Sequence, residues 1–298
     1  MNGVQTTAPH GAMPNIREEA DPMARGWAWF LLPLMLLLAV VFFIPIAYLA
    51  SYSLRPYLGA GQVGGGLTLV NYVRFIGDPF YLGVLFDTLV IGMIVVSICM
   101  VLAYPVAYVL ARTRSRHRGL LVFMVLAPLL IATVIRNLGW FPILGESGLI
   151  NSLLLWLGLI DTPMRLLNNR IGVMVALVHT FLPFMILALV TVIQKVGIDL
   201  EEAAQNLGAT PWTTFWKVVF PLSRPGLLAG YLVVFTSVIS AFTTPAMMGG
   251  KRVLVMSTLI EQQMRSVLNY PFGATAAVVL MVVGCALTLL SLQQKKAE

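Results

Sequence analysis

Six apolar runs, at 27–54, 83–111, 120–141, 171–194, 223–246 and 271–292, restrict this chain more than any other feature. Each is long enough to cross a bilayer core as a helix, which takes about 20 residues. Only 10% of the residues are charged and 59% are hydrophobic, whereas soluble domains carry about 25% charged residues. The expected fold is all-α: a polytopic membrane protein with six transmembrane helices. The third run is the least regular. Arg136 and Asn137 interrupt it and Pro142 follows, so it is expected to break or tilt near its outer end.

Basic residues in short connections orient such runs. Arg112, Arg114, Arg116 and Arg118 crowd the connection between the second and third runs and place it in the cytoplasm. Six crossings then put both termini inside, together with the connection between the fourth and fifth runs at 195–222. The inside segments hold 11 Lys and Arg and the outside loops hold 8, so the dense cluster rather than the total sets the orientation. Residues 1–26 read as a polar cytoplasmic tail, 27–292 as the transmembrane domain and 293–298 as a C-terminal tail. The first run exceeds a signal-peptide core of about 7–15 residues and is read as an anchor that stays. A net charge of +7 suits anionic lipid at the cytoplasmic face. No soluble basic domain is present to grip nucleic acid. Cys99 and Cys285 fall inside apolar runs and read as small buried residues, not as a disulfide framework.

The 195–222 connection is polar and well punctuated. Asp199 followed by Glu202 has the spacing of a capping box at a helix start. Gly208, with no Cβ, closes that helix. Thr210 as N-cap and Pro211 at the first helical position start a second one, carrying Trp212, Phe215, Trp216 and Val219 until Pro221 stops it. Two short helices, Leu200–Leu207 and Pro211–Val219, are therefore expected to meet at an angle.

Glu202-Ala203-Ala204, Gly208-Ala209, Phe215, Pro221, Pro225 and Gly230 resemble the EAA signature of ABC importer permeases, with Phe220 where leucine usually precedes the proline. The resemblance implies a cytoplasmic coupling helix seated in a cleft of an ATP-hydrolysing partner. Ala203 and Ala204 would allow close approach, and Glu202 would meet a polar or basic lip. The plainer reading is an amphipathic interfacial helix with good caps. Further segments resemble the spermidine/putrescine-type permeases: Ala103-Tyr104-Pro105-Val106-Ala107-Tyr108, Gly148-Leu149-Ile150-Asn151-Ser152, Leu157-Gly158-Leu159-Ile160-Asp161, Thr244-Pro245-Ala246 with Gly249-Gly250, and Tyr270-Pro271-Phe272-Gly273. That resemblance implies a bacterial inner-membrane protein whose partners are an ABC ATPase dimer, a second homologous permease subunit and an extracytoplasmic substrate-binding protein.

Nothing in the residues makes the chain an enzyme. Gly249-Gly250-Lys251 lacks the upstream glycine and the following hydroxyl of a phosphate-binding loop, so ATP is expected on a separate subunit. His10, His117 and His179 are scattered, no metal-ligand spacing occurs, and no cofactor is expected in this chain.

A solute path is sought among polar residues sharing a face. Thr236, Ser240, Thr243 and Thr244 recur as one stripe with Ser237 beside it. They either line a pathway or bond back to their own helix. Asp87 either receives a cationic solute or, with Thr88, caps a helix. For a polyamine the available carboxylates and aromatic faces are Asp87, Glu146, Glu261, Trp140, Tyr104 and Phe242, with Glu146 and Glu261 otherwise solvated or touching a binding protein. Arg136 beside the path would repel a cation unless paired. An opine, a phosphonate, ferric iron or an organic anion therefore stays open beside spermidine or putrescine.

The apolar segment from Gly148 to Ile160, about 13 residues, is too short to cross and is expected to be re-entrant or surface-lying. A stand-alone secondary transporter or channel would need paired intramembrane carboxylates or broken helices in repeated halves. Asp87 alone offers anything similar, and no internal repeat is visible. The expected mechanism is alternating access driven by closure of the ATPase on the coupling loop.

Overall fold

A computed structural model describes residues 22–250 and 252–294 of the chain. Residues 1–21 of the expected N-terminal tail and 295–298 of the C-terminal tail lie outside the described residues. The fold is all-α except for one small hairpin. The first helix, α1 (Pro22–Ser53), begins within the segment read as a tail. Residues to Leu49 form one compact unit and those from Ala50 a second.

The second unit takes in the end of α1 and then the hairpin β1 (Tyr57–Gly59) and β2 (Gln62–Val63), paired antiparallel across Ala60 and Gly61, both at positive φ. A short helix α2 (Val70–Gly77) leads into α3 (Pro79–Arg112), which is capped by Asp78 as its carboxylate accepts from Phe80 N–H at 2.9 Å. Then come α4 (Arg118–Leu130), α5 (Thr133–Leu144), α6 (Leu149–Trp156) and α7 (Arg170–Lys195). After the polar connection containing α8 (Ile198–Asn206) and α9 (Pro211–Thr214), the chain continues as α10 (Phe220–Ser240), α11 (Thr243–Met248), α12 (Met256–Glu261) and α13 (Tyr270–Gln294).

Six helical stretches among the described residues are long and apolar enough to cross a bilayer: Leu31–Ser53, Pro79–Arg112, Thr133–Trp156, Arg170–Lys195, Pro211–Ser240 and Tyr270–Ser291. The third corrects the expected 120–141 span. Residues 120–141 are not one helix, because the chain leaves the helix at Ile131–Ala132; the Thr133–Trp156 stretch is itself α5 and α6 with a turn at Gly145–Gly148 between them. The break falls at mid-run, ahead of Arg136, and not near its outer end. The expected 223–246 span is likewise interrupted. α10 stops at Ser240, Ala241 is extended, and Ser257 Oγ donates to the freed Ala241 carbonyl at 2.7 Å. Non-helical backbone at this depth persists where protein groups satisfy it.

Two local readings of the polar connection are corrected. The Asp199–Glu202 capping box does not form, because α8 starts two residues earlier than expected, at Ile198, with Gly197 at the cap and no side-chain bond. Asp199 and Glu201 lie in the first turn, where negative charge favours the helix dipole. Pro221 does not stop the second helix. A π-helical turn over Phe215–Val219, in which Phe220 N–H reaches Phe215 O, takes up the proline, and the helix runs on as α10.

The main core is the packing of α3, α7 and α10, with Val95, Val96, Cys99, Leu177, Met185, Leu189 and Phe235 buried within it. Gly226 lets α10 approach α7 closely, for a Cβ there would overlap the Val192 side chain. A second cluster, Phe75, Tyr81, Val84, Met256, Leu259 and Phe272, joins α2, α3, α12 and α13. Cys99 is buried as expected, but Cys285 is exposed on α13.

Candidate coupling loop and solute path

The connection between α7 and α10 turns on one left-handed glycine. Gly208 has φ +90°, its N–H donates to Gln205 O at 2.9 Å, and Ala209 N–H reaches Ala204 O at 3.0 Å. An L side chain is strained at that angle. Thr210 Oγ1 then accepts from Thr213 N–H at 3.2 Å, and Pro211 occupies the first helical turn. The two short helices therefore follow each other with a sharp turn between them. Glu202 and Ala203 are exposed on α8, while Ala204, Ala209 and Pro221 are half-buried. Leu207 is 90% exposed and Trp212 70%. Both are large apolar side chains left bare on an otherwise polar connection.

The acid that ties this loop down is Glu201, which the sequence reading passes over for its neighbour Glu202. Glu201 is buried. Arg112 Nε donates to its Oε1 at 2.8 Å, and Arg112 NH2 closes the ion pair with the same oxygen. Tyr108 OH donates to Oε2 at 2.8 Å, and Arg112 NH2 also donates to Val196 O at 3.0 Å. Both carboxylate oxygens are satisfied, the condition under which a buried ion pair is tolerated. Phe215 packs edge-on against Tyr104 and Tyr108, with centroids 5.1 and 5.7 Å apart, and Tyr104 shares a hydroxyl hydrogen bond with Ser223. The C-terminal end of α3 thus holds α8, the π turn and the start of α10. The sequence signal for this was Tyr108 and Arg112, four residues apart on one helix face.

The residues proposed for a solute path do not form one stripe. Thr236, Ser237 and Ser240 donate back to carbonyls of their own helix at 2.7–2.8 Å. The break after Ser240 sets Thr243 and Thr244 on α11, where Thr244 Oγ1 accepts from Asn137 Nδ2 at 3.2 Å. Asp87 is no helix cap, since it lies well inside α3, and it pairs with Arg170 at the start of α7. Thr88 joins helices instead: its Oγ1 donates to Val84 O and accepts from Met256 N–H at 2.9 Å. Trp140 meets His179 edge-on at 5.5 Å.

What these elements do line is a half-open cavity of about 310 Å³ between the broken helices, with Thr133, Arg136, Thr180, Phe242, Thr243 and Thr244 among its walls. Arg136 is 8% exposed; its NH1 donates to Pro128 O at 2.8 Å, near the end of α4. The other candidates for receiving a polyamine are spread out. Glu146 pairs with Arg165 at 3.2 Å, Glu261 faces Arg265 at 4.0 Å, and Tyr104 belongs to the coupling-loop end.

The family described as binding-protein-dependent transport system inner membrane component matches residues 27–294. The spermidine/putrescine transport system permease protein PotB of Escherichia coli (strain K12) is 35% identical over 246 residues, covering 83% of this chain and 89% of that protein. PotB of Haemophilus influenzae (strain ATCC 51907 / DSM 11121 / KW20 / Rd) is 33% identical over 245 residues, 82% of this chain and 85% of that one. A chain from the crystal structure of a bacterial alginate ABC transporter in complex with alginate pentasaccharide-bound periplasmic protein aligns with TM-score 0.73. That alignment covers 92% of this chain and 96% of the other at 17% identity, a likeness of fold.

Proposed function

The chain belongs to the family of binding-protein-dependent transport system inner membrane components, and from that membership we propose that it is the transmembrane lever of an ATP-driven importer. As a permease subunit of the inner membrane it supplies the conduit. ATP hydrolysis falls to a separate ATPase dimer docking on α8 and α9. The observation that carries this reading is the loop itself, which presents Glu202, Ala203, Leu207 and Trp212 outward while Glu201 anchors it to α3. Closure of the ATPases then moves α3, α7 and α10 and switches access across the membrane.

The coupling loop and both termini are assigned to the cytoplasm. The Arg112–Glu201 pair supports this, because it joins the loop to the end of α3 where Arg112, Arg114, Arg116 and Arg118 cluster. A second homologous permease and an extracytoplasmic substrate-binding protein complete the assembly. The spermidine/putrescine permeases among the relatives favour a small organic amine, with spermidine and putrescine the first to test. A second reading, an organic anion or a solute with an anionic group, is favoured by Arg136 in the cavity.

Reconstitution of the assembled complex in liposomes, with ATP on the coupling-loop side, tests the proposal. Uptake that follows ATP hydrolysis and needs the binding protein supports it. Uptake by the purified chain alone, driven by an ion gradient, would establish the stand-alone transporter instead.

A further inference from the structure

Arg136 is 8% exposed and, among the described residues, has no carboxylate paired with it. Among the described residues the ion pairs are Arg112–Glu201, Arg165–Glu146, Arg170–Asp87 and Arg265–Glu261, and none includes it. One neutral carbonyl, that of Pro128, accepts from NH1, and the buried Nε has no partner. A guanidinium so placed calls for a negative group, since burying an unpaired charge is strongly unfavourable.

A second feature points at the same space. α5 starts at Thr133, one turn before Arg136, and its N-terminus has no side-chain cap. The first N–H groups of a helix are unpaired and favour negative charge. Ile131 and Thr133, at that N-terminus, line the cavity together with Arg136. Phe181, Phe184 and Leu129 give it apolar walls, while Thr180 and Thr243 add hydroxyls. Its 310 Å³ equals roughly ten waters at about 30 Å³ each, room for a carboxylate on a short organic body.

We infer that this cavity is a carboxylate site on the solute path, with Arg136 and the start of α5 as its anion-binding groups, so that the solute carries a carboxylate in addition to any amine. The inference rests on the importer reading, which makes the cavity part of a path. It narrows that reading: putrescine, with an ammonium at each end, leaves Arg136 bare, whereas γ-aminobutyrate, of similar length, places a carboxylate against it.

The test uses the complete transporter in lipid nanodiscs, titrated with acetate, γ-aminobutyrate and putrescine while its melting temperature is followed. Both carboxylates are expected to raise the melting temperature, and putrescine is not. Arg136→Gln weakens γ-aminobutyrate binding by roughly tenfold or more, and Arg136→Lys retains part of it. Arg136→Lys also serves where the glutamine variant fails to assemble. A shift with putrescine but not the carboxylates, no shift with either carboxylate, or carboxylate binding unchanged in a folded Arg136 variant overturns the site. None of these results touches ATP-dependent uptake, so the importer reading stands or falls separately.

Discussion

Arg112, the last residue of α3 and half-buried, and Glu201, buried in the first turn of α8, form an ion pair across 89 residues of sequence, with Arg112 Nε donating to Glu201 Oε1 at 2.8 Å. α8 is joined covalently only to α7 and, through α9, to α10. The ion pair gives it a third attachment, so a push on the loop reaches α3 as well.

Removing Glu201 leaves the half-buried Arg112 without its counter-charge. Glu201→Ala leaves Tyr108 and Arg112 without their shared acceptor and is expected to destabilise the chain by about 1–3 kcal/mol, the range for an unsatisfied hydrogen-bonding group. Glu201→Gln, which keeps bonding capacity for Tyr108 and Arg112, costs less. Thermal melting of the purified protein, read alongside the ratio of ATP hydrolysed to solute imported, checks both; wild-type values for Glu201→Ala would remove the attachment from the account.

Gly208→Asp forces a side chain into φ +90°, a strain of order 1–3 kcal/mol. The turn between α8 and α9 is expected to open, and ATPase subunits to be lost during purification. Co-purification of the ATPase with unimpaired uptake would contradict the loop's role.

Asp87 is neutralised by Arg170 and both side chains are partly exposed, so the pair contributes at most about 1 kcal/mol. Asp87→Asn, Arg170→Gln and the double variant are expected to take up solute alike, near the wild-type rate. Selective loss of uptake in Asp87→Asn alone, measured with whichever labelled amine the wild-type transporter imports, would restore Asp87 as a cation receptor.

Gly226 and Val192 mark the closest approach of α10 to α7. Gly226→Val is expected to destabilise the protein by about 1–3 kcal/mol through overpacking, and Val192→Ala in the same chain to recover part of the loss. Melting curves of the single and double variants measure the coupling.

The apolar runs, Gly208 and the Thr210-Pro211 start were legible because each acts within a few residues of itself. What stayed hidden depends on partners far along the chain. Glu201 and Glu202 are adjacent acids, and only Arg112, 89 residues away, distinguishes the buried one from the exposed one. Asp87 and Thr88 looked like a cap until Arg170 and Met256 were placed beside them. The breaks at Ile131–Ala132 and Ala241–Phe242 carry no proline or glycine and sit inside apolar stretches, so hydropathy reads through them. Those two breaks frame the cavity at Arg136, which is why Thr236 and Ser240 seemed to share a stripe with Thr243 and Thr244.

The most direct measurement is site-specific cross-linking of Ala203→Cys in native membranes. Ala203 is exposed on α8, and it is expected to cross-link to an ATPase subunit, to be shielded when that subunit is bound, and to react only with reagents that reach the cytoplasm. Labelling of Ala203→Cys from outside intact cells, or full uptake with no ATPase adduct, would contradict the coupling role on which the account depends.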